Sequence, residues 1–212
     1  MQVYYAIITQ PLNDLDFKRY LDQMPPFIQQ KIGRYKNWED AHTSLLGKLL
    51  LIQALQDSGV QKTDLSLLTY NQYGRPSIPG IIDFNISHSG TLVLCAIATS
   101  GTIGIDAEVV KPINKMDFYN CWTPTEVKAI YDDPDDYKTF YSHWTKKEAV
   151  VKAIGNGLNI PLKDIEINGD LATVAHHGNW YVKEIPFSEK YIVHMAAKEP
   201  YGDPIVVIQK EF

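Results

Sequence analysis

Five residues near the middle of the chain, Gly104-Ile105-Asp106-Ala107-Glu108, place two acids in an apolar segment. Side chains alternate between the faces of a strand, so Asp106 and Glu108 are predicted to share one face, roughly 7 Å apart. Two close carboxylates repel each other, and burial increases the cost. Bound Mg²⁺ relieves this repulsion, since it prefers oxygen ligands and commonly combines carboxylates with substrate phosphates. The alternative is a strand end whose two acids face water.

Composition limits the class of protein. The 212 residues suffice for one large domain or two halves of about 100 residues, and the 45% apolar and 21% charged content is typical of a globular protein. A net charge of −5 argues against a general nucleic-acid surface. No apolar run is long enough to span a membrane, and the N-terminus resembles a strand rather than a signal peptide. Cys95 and Cys121 fit no metal-ligand spacing, so a reduced, cytoplasmic environment is expected.

The chain divides into two halves with the same predicted order of elements, a strand, then helix, then strands. Residues 92–98 form a continuous apolar run, which predicts a strand buried on both faces. The small polar link Ser100-Gly101-Thr102 follows it and is the best candidate boundary. We therefore predict an N-terminal half of residues 1–101 and a C-terminal half of residues 102–212 that carries the two acids.

Three segments of the first half carry groups suited to an anion. Lys31 and Arg34 lie on one face of a predicted helix. Residues 73–76, Tyr-Gly-Arg-Pro, form a rigid turn with one basic side chain. Residues 87–90, Ser-His-Ser-Gly, are predicted to form a turn that offers hydroxyls, an imidazole and backbone amides. The alternatives are a solvated basic face, a surface turn and a structural histidine.

The second half contains the most informative helix, predicted from Asp133, as its cap, to Ile154, with Gly155 ending it. One ridge of this helix repeats every four residues: Phe140, Trp144, Glu148 and Lys152. An acid and a base beside large rings suggest a functional site. The alternative is an ordinary surface pair, worth a few tenths of a kcal/mol.

Residues 113–122 combine polar side chains with large apolar ones: Met116, Phe118, Tyr119 and Trp122. They form either local core or a docking surface for a partner. A capping box, Thr123 with Glu126, then begins another helix.

Three motifs stand in a fixed order: Gly-Arg-Pro followed by Phe-Asn-Ile-Ser-His-Ser-Gly within residues 74–90, Gly-Ile-Asp-Ala-Glu at 104–108, and Trp-Thr-Lys-Lys-Glu-Ala-Val-Val-Lys-Ala-x-Gly at 144–155. Together they resemble the 4'-phosphopantetheinyl transferases, specifically the two-halved, Sfp-like type that activates nonribosomal peptide synthetases. The resemblance runs from about Lys31 to Ile160. Gly-x-Asp-x-Glu alone is a weak motif, but its combination with Trp-x-x-Lys-Glu-x-x-x-Lys is strong.

The resemblance implies an α+β fold, a pseudo-dimer of two similar α/β halves, each with a small, mainly antiparallel sheet and packed helices. Coenzyme A and a divalent ion, Mg²⁺ or in its place Mn²⁺, would lie between the halves. The implied reaction transfers the 4'-phosphopantetheine arm of coenzyme A to a serine of an apo acyl or peptidyl carrier protein and releases adenosine 3',5'-bisphosphate. A two-halved chain is expected to be a monomer, with no nucleic-acid or membrane partner.

The resemblance also implies residue roles. The metal ligands would be Asp106, Glu108 and Glu148. The catalytic residues would be Glu148 and Lys152, and the sequence leaves open whether Glu148 is a ligand or the base. Coenzyme A would contact Lys31, Ser44, Gly74, Arg75, Pro76, Ser87, His88, Asp106 and Lys152. The carrier would dock on Met116, Phe118, Tyr119 and Trp122.

Some positions depart from the family pattern. Arg75 stands where lysine is frequent, which keeps the charge but changes the geometry. Ile28 and Thr43 stand where Sfp-like chains place basic residues near the 3'-phosphate, and Ala107 removes a possible further ligand between the acids. Either the affinity for coenzyme A is lower, or the groups that remain suffice: Lys31, His88 and Ser44.

Two other functions stay open on the sequence. One is a metal-dependent hydrolase that splits the pyrophosphate of coenzyme A, and the other is a non-catalytic module that binds carrier proteins. Transfer is favoured, because phosphoryl transfer needs positioning and charge neutralisation more than a covalent nucleophile.

Overall fold

The computed structural model describes residues 1–60, 63–202 and 204–212, and at residue 158 only the backbone. The first half contains β1 (Gln2–Ile7), α1 (Asp14–Leu21), α2 (Pro26–Ile32), α3 (Trp38–Asp57), β2 (Thr69–Tyr70), β3 (Pro76–Ser77), β4 (Asp83–Ser89) and β5 (Leu92–Ala98). The second half contains β6 (Ile103–Val109), α4 (Pro124–Tyr131), α5 (Tyr137–Ile154), β7 (Ile165–Asn168), β8 (Leu171–Val174), β9 (Gly178–Glu184), β10 (Tyr191–Ala197) and β11 (Val206–Gln209).

Two small sheets form the framework. The first has the strand order β11-β1-β5-β4, and the second has the order β6-β10-β9-β8-β7. Pairing is antiparallel throughout, except that β11 runs parallel to β1. With helices packed on each sheet, this is the α+β architecture that the sequence predicts.

The last strand of the chain joins the sheet of the first half, since Val206 to Gln209 pair with Gln2 to Tyr5 of β1. The C-terminal segment therefore returns across the molecule after the second sheet is complete. The boundary predicted at residue 101 divides the sequence into two halves, and it stays a prediction.

Each sheet carries one long helix. Helix α3 covers the first sheet with an apolar stripe that includes Leu45, Leu49 and Leu50. Helix α5 covers the second sheet and buries Ala149, Val150 and Ala153 against it. Strand β5 is buried at all seven positions, which confirms the prediction made from its continuous apolar run.

Helix α5 approaches β6 unusually closely at Gly104. A Cβ atom built on this glycine would clash with the carbonyl oxygen of Ala149 and the backbone of Ala153. Glycine therefore permits backbone-to-backbone contact here. The contact sets how near the side chains of α5 come to those of β6.

The edge strands β4 and β6 are joined through side chains. Four oxygens on alternate residues of β4 accept hydrogen bonds from alternate amides of β6: Asp83 from Ile103 at 2.8 Å, Asn85 from Ile105 at 3.0 Å, Ser87 from Ala107 at 3.3 Å and Ser89 from Val109 at 3.1 Å. We call Asp83, Asn85, Ser87 and Ser89 the polar ladder. It satisfies edge amides that would otherwise be buried without partners.

Two local predictions were wrong. Strand β4 continues through Ser89, so the turn predicted at residues 87–90 begins only at Gly90, whose φ is +56°. The hydroxyls of the ladder keep this segment extended. Helix α5 begins at Tyr137 rather than near Asp133, because Asp136 caps it by accepting a hydrogen bond from the Thr139 amide at 3.1 Å.

Other local predictions agree with the structure. Thr123 and Glu126 form the predicted capping box, and Gly155 ends α5 in the left-handed conformation. A short 3-10 turn at Leu65–Leu67 precedes the two-residue strand β2. No helix in the described part of the chain is both long and apolar enough to cross a membrane.

Candidate active site between the two halves

A cleft between the halves consists of two adjoining cavities of about 290 and 320 Å³. They share three residues, Ile86, Glu148 and Lys152. The first cavity is also lined by Tyr73, Gly74, Arg75, Pro76, Asn85, Val151, Gly155 and Gly157. The second is also lined by Ser87, His88, Asp106, Glu108 and Trp144.

Strand β6 brings Asp106 and Glu108 to the second cavity on one face, as its alternation predicts. Ile105 and Ala107, on the opposite face, are buried in the core between the sheets. Asp106 is only 5% exposed, so its carboxylate has lost most of its water. The alternative interpretation, a strand end whose two acids face water, therefore does not apply to this site.

Helix α5 adds Glu148 and Lys152 from the other side of the same cavity. The Lys152 Nζ lies 2.6 Å from Asp106 Oδ1 and donates to Ser87 Oγ at 2.9 Å. Ser87 in turn donates to Asp106 Oδ1 at 3.2 Å. The pair predicted from the helical ridge is therefore not an ordinary surface pair, because Lys152 pairs with an acid of β6.

Negative charge accumulates around the second cavity. Burial, and then the charge of Asp106, raise the pKa of Glu148 above its usual value. Burial also raises the pKa of Glu108; a hydrogen bond from Ser89 opposes this shift, and the charge of Asp106 adds to it. The pKa of His88 is lowered by desolvation and then by the nearby Lys152 ammonium. One lysine thus faces three carboxylates.

These carboxylates fit a divalent cation in charge and chemistry. Asp106 Oδ2 is buried and has no hydrogen-bond partner among the described residues, so it is available as a ligand. Within residues 1–60, 63–202 and 204–212, however, no three acidic, histidine or cysteine side chains form a ready-made metal-binding group. The assignment of Asp106, Glu108 and Glu148 as metal ligands stays a prediction.

Arg75 connects the two halves. Its Nη2 contacts both carboxylate oxygens of Asp83, at 2.7 and 3.0 Å, and donates to the Ile103 carbonyl at 3.1 Å. Its Nε donates to the Lys152 carbonyl at 3.1 Å, near the end of α5. Asn71 in the same turn donates to the Gly155 carbonyl at 2.8 Å. The guanidinium is thus engaged by protein groups, while the turn lines the first cavity.

Two residues predicted to contact coenzyme A lie outside the linings of these cavities. Lys31 is exposed on α2, with its Nζ 5.4 Å from the centre of the Tyr70 ring. Ser44 is half-buried on α3. The contacts of both residues with coenzyme A remain predictions.

The segment predicted to dock the carrier forms a 3-10 turn at Lys115–Cys121. Met116 and Tyr119 are 61% and 48% exposed, whereas Trp122 is only 5% exposed. Phe118 lies 5.2 Å from Trp144, ring centre to ring centre, at the edge of an aromatic cluster. The segment is therefore part core and part surface, and docking itself stays a prediction.

Several positioning residues were missed in the sequence. Asp83, Asn85 and Ser89 of the polar ladder alternate with apolar residues, and this period-two pattern was the available signal. The buried ion pair between Lys147 Nζ and Glu126 Oε2, 2.6 Å apart, left no comparable signal. Glu126 was recognised only as part of a capping box.

The fold and the cleft define a two-halved α+β enzyme whose acids and lysine meet between the halves. The family model described as "4'-phosphopantetheinyl transferase superfamily" matches residues 102–199, and the one described as "4'-phosphopantetheinyl transferase, N-terminal" matches residues 10–100. The chain is 30% identical to the 4'-phosphopantetheinyl transferase Sfp of Bacillus subtilis, across 100% of this chain and 99% of that protein. The chain belongs to the 4'-phosphopantetheinyl transferases and is of the Sfp type.

Other relatives have the same enzyme name. The 4'-phosphopantetheinyl transferase ffp of Bacillus subtilis is 28% identical across 100% of this chain and 99% of that protein. HetI of Nostoc, also named a 4'-phosphopantetheinyl transferase, is 39% identical across 40% of this chain and 37% of its own. Among solved structures, a holo-[acyl-carrier-protein] synthase of Thermotoga maritima gives a TM-score of 0.36 at 21% identity, over 45% of this chain and 61% of that chain. That last likeness is too low to support an argument.

Proposed function

We propose that this enzyme transfers the 4'-phosphopantetheine arm of coenzyme A to a serine of an acyl or peptidyl carrier protein. The second product is adenosine 3',5'-bisphosphate, and the reaction depends on Mg²⁺. The observation that carries the proposal is the meeting of Asp106, Glu108 and Glu148 with Lys152 around one cavity between the halves.

The two cavities match the two parts of the substrate that must be held. The first has an apolar lining from Tyr73, Pro76 and Val151, which suits the adenine ring. The second is polar and contains Lys152, which suits the pyrophosphate. Because the cavities adjoin at Ile86, Glu148 and Lys152, one extended molecule can occupy both.

The reaction forms one bond and breaks one. The serine oxygen of the carrier attacks the phosphorus that bears the pantetheine arm, and the bond from that phosphorus to the bridging oxygen breaks. The bridging oxygen leaves with adenosine 3',5'-bisphosphate. The serine proton passes to the carboxylate of Glu148, directly or through a water molecule. Lys152 stabilises the charge that develops on the departing phosphate.

Asp106, Glu108 and Glu148 would hold the metal ion, and Asp106 Oδ2 is the oxygen that lacks a partner. Bound Mg²⁺ would neutralise pyrophosphate charge and stabilise the leaving oxygen. Lys152 and Ser87 contact the other carboxylate oxygen, Oδ1, and partly compensate the charge of Asp106. The ladder serines hold the two acids in orientation, since Ser87 donates to Asp106 and Ser89 donates to Glu108.

The carrier protein would dock beside the exposed side chains of Met116 and Tyr119. A cavity of about 410 Å³ lies next to Tyr119 and is also lined by Asn120, Trp122, Pro124, Val127 and Lys163. Apolar contact is the expected mode, since carriers of net negative charge gain nothing from an enzyme of charge −5.

Mass spectrometry of apo-carriers incubated with the enzyme, coenzyme A and Mg²⁺ tests the proposal. A mass gain of one phosphopantetheine arm on the carrier serine, together with adenosine 3',5'-bisphosphate in the supernatant, supports transfer. Release of adenosine 3',5'-bisphosphate without a carrier would indicate a hydrolase instead. Chelation with EDTA should stop labelling, and added Mg²⁺ or Mn²⁺ should restore it.

A further inference from the structure

The C-terminal end of α5 is completed by side chains of the first half. Carbonyl groups at the C-terminal end of a helix have no partners within the helix. The Lys152 carbonyl accepts a hydrogen bond from Arg75 Nε at 3.1 Å, and the carbonyl of the cap residue, Gly155, accepts one from Asn71 Nδ2 at 2.8 Å. Residues 71–75, which we call the 71–75 turn, therefore satisfy two carbonyls of a helix that belongs to the other half.

The 71–75 turn also lies close against the backbone that follows α5. A Cβ atom built on Gly155 would clash with the Arg75 side chain, and one built on Gly157 would lie 3.7 Å from atoms of Tyr73. Both glycines have a positive φ, +78° and +56°, which other residues rarely adopt. Hydrogen bonds and steric contact thus both fix the turn relative to the end of α5.

The side chain of Asn71 acts on both of these elements. Its Oδ1 accepts hydrogen bonds from the amides of Tyr73 and Arg75, both at 2.9 Å, which fixes the conformation of the turn. Its Nδ2 donates to the Gly155 carbonyl. A carboxamide can accept and donate at the same time, whereas a carboxylate can only accept. One side chain thus joins the internal order of the turn to the placement of the turn on α5.

The two elements that Asn71 joins both line the first cavity. The 71–75 turn contributes three lining residues, and α5 contributes Glu148 and Lys152 among others. Lys152 lies three residues before Gly155, and its Nζ reaches Asp106 Oδ1 at 2.6 Å in the second cavity. A shift between the turn and the end of α5 would therefore change the distance from a molecule held by the turn to Glu148 and Lys152.

We propose that Asn71 is a positioning residue for the transfer reaction. By holding the 71–75 turn on Gly155, it sets the place of the nucleotide of coenzyme A relative to Glu148 and Lys152. Asn71 is exposed, so its substitution removes little packing. Arg75 keeps its own contacts with the second half when Asn71 is changed, so the fold should survive. The inference rests on the proposed use of coenzyme A.

Three substitutions of Asn71 separate its donor from its acceptor. Asn71→Asp keeps an oxygen that accepts from the amides of Tyr73 and Arg75, but it cannot donate to Gly155. Asn71→Ser keeps a hydroxyl acceptor in the turn without added charge, and its side chain is too short to reach Gly155. Asn71→Ala removes both functions. The backbone hydrogen bonds from Asn71 to Arg75 and from Gly74 to Asn71, both at 3.0 Å, are available in all three variants.

Single-turnover labelling of an apo-carrier, with enzyme in excess and coenzyme A saturating, measures the effect. The rate per coenzyme A-binding site should fall about 10-fold in Asn71→Asp and in Asn71→Ser, and at least as far in Asn71→Ala, because small misplacements of reacting groups slow the reaction. The number of binding sites, from calorimetric titration with coenzyme A, and the KM for the carrier should change less than about twofold. A merely structural role would reduce the number of binding sites and leave the rate per site unchanged, which would overturn the assignment.

The control is Asn179→Asp, which adds the same charge at an exposed asparagine of β9 and should leave the rate unchanged. A wild-type rate in Asn71→Asp would show that the donor does not matter, and a wild-type rate in Asn71→Ser would show that only added charge does; either result refutes the role of Asn71 alone. A wild type that labels no carrier refutes the proposed function, and the role of Asn71 with it.

Discussion

Ser89 donates a hydrogen bond from its Oγ to Glu108 Oε2 at 2.7 Å, across the boundary between the two halves. The same hydroxyl oxygen accepts from the amide of Val109 at 3.1 Å. One side chain of β4 thus fixes both the backbone of β6 and the orientation of an acid that faces the cleft. The assembly of the halves and the geometry of the site depend on the same contacts.

Ser89→Ala should therefore reduce stability and activity together. It leaves the Val109 amide without its acceptor and Glu108 without its donor, which we expect to cost about 1–2 kcal/mol of unfolding free energy. Urea denaturation measures the first effect and steady-state carrier labelling the second. Ser89→Thr keeps the hydroxyl and should restore most of both; equal losses in the two variants would contradict the role of the hydrogen bonds.

Arg75→Lys should destabilise the contact between the halves. Lysine keeps the charge but cannot contact Asp83, the Ile103 carbonyl and the Lys152 carbonyl at once. We expect a loss of about 1–3 kcal/mol in urea denaturation. A double-mutant cycle with Asp83→Asn should give a clear coupling energy, whereas strict additivity would argue against the ion pair.

A matched control is Arg34→Lys, because Arg34 is exposed. It should change the unfolding free energy by less than about 0.5 kcal/mol.

Gly104→Ala should move α5 away from β6. The added Cβ atom meets the backbone of Ala149 and Ala153, which cannot yield as a flexible side chain would. We expect a loss of about 3 kcal/mol or more and a displaced Glu148. Gly202→Ala is the control, since apart from its chain neighbours no atom of the described residues lies within 4 Å of a Cβ built there. Equal thermal stability of the two variants would refute the close approach.

The buried pair of Glu126 and Lys147 should make stability depend on pH. Burial opposes ionisation of Glu126, but the nearby His143, 3.7 Å from Oε1, and the hydrogen bonds from Lys147 and the Thr123 amide outweigh it and lower the pKa of Glu126 to about 2, from 4.5. Because the folded pKa is lower, the stabilisation is present above pH 4.5 and is lost as pH falls toward 2. Urea denaturation at several pH values in this range measures it.

Lys147→Met tests the origin of that pH dependence. It leaves Glu126 buried without its cation, so we expect a loss of about 3–5 kcal/mol near neutral pH and a weaker decline below pH 4.5. An unchanged decline in the variant would show that the pair is not its cause.

The sequence predicted the features that depend on local pattern. Alternation in β6 placed Asp106 and Glu108 on one face, and the four-residue repeat placed Glu148 and Lys152 on one ridge of α5. The buried strand β5 and the capping box at Thr123 were also predicted, from a continuous apolar run and from residue spacing. Each of these follows from the geometry of a single element.

Features that depend on the meeting of distant segments were not predictable in this way. The partners of Arg75 are set by how α5 approaches the first half, and the pairing of β11 with β1 joins opposite ends of the chain.

The most direct test of the account compares wild type with Glu148→Gln in carrier labelling by mass spectrometry. Both proteins should show the same thermal unfolding, and coenzyme A binding by calorimetry should confirm an intact cleft. We predict that wild type adds a phosphopantetheine arm only when Mg²⁺ is present, and that Glu148→Gln, like Asp106→Ala, adds none. Full labelling by a folded Glu148→Gln variant would contradict the proposed site.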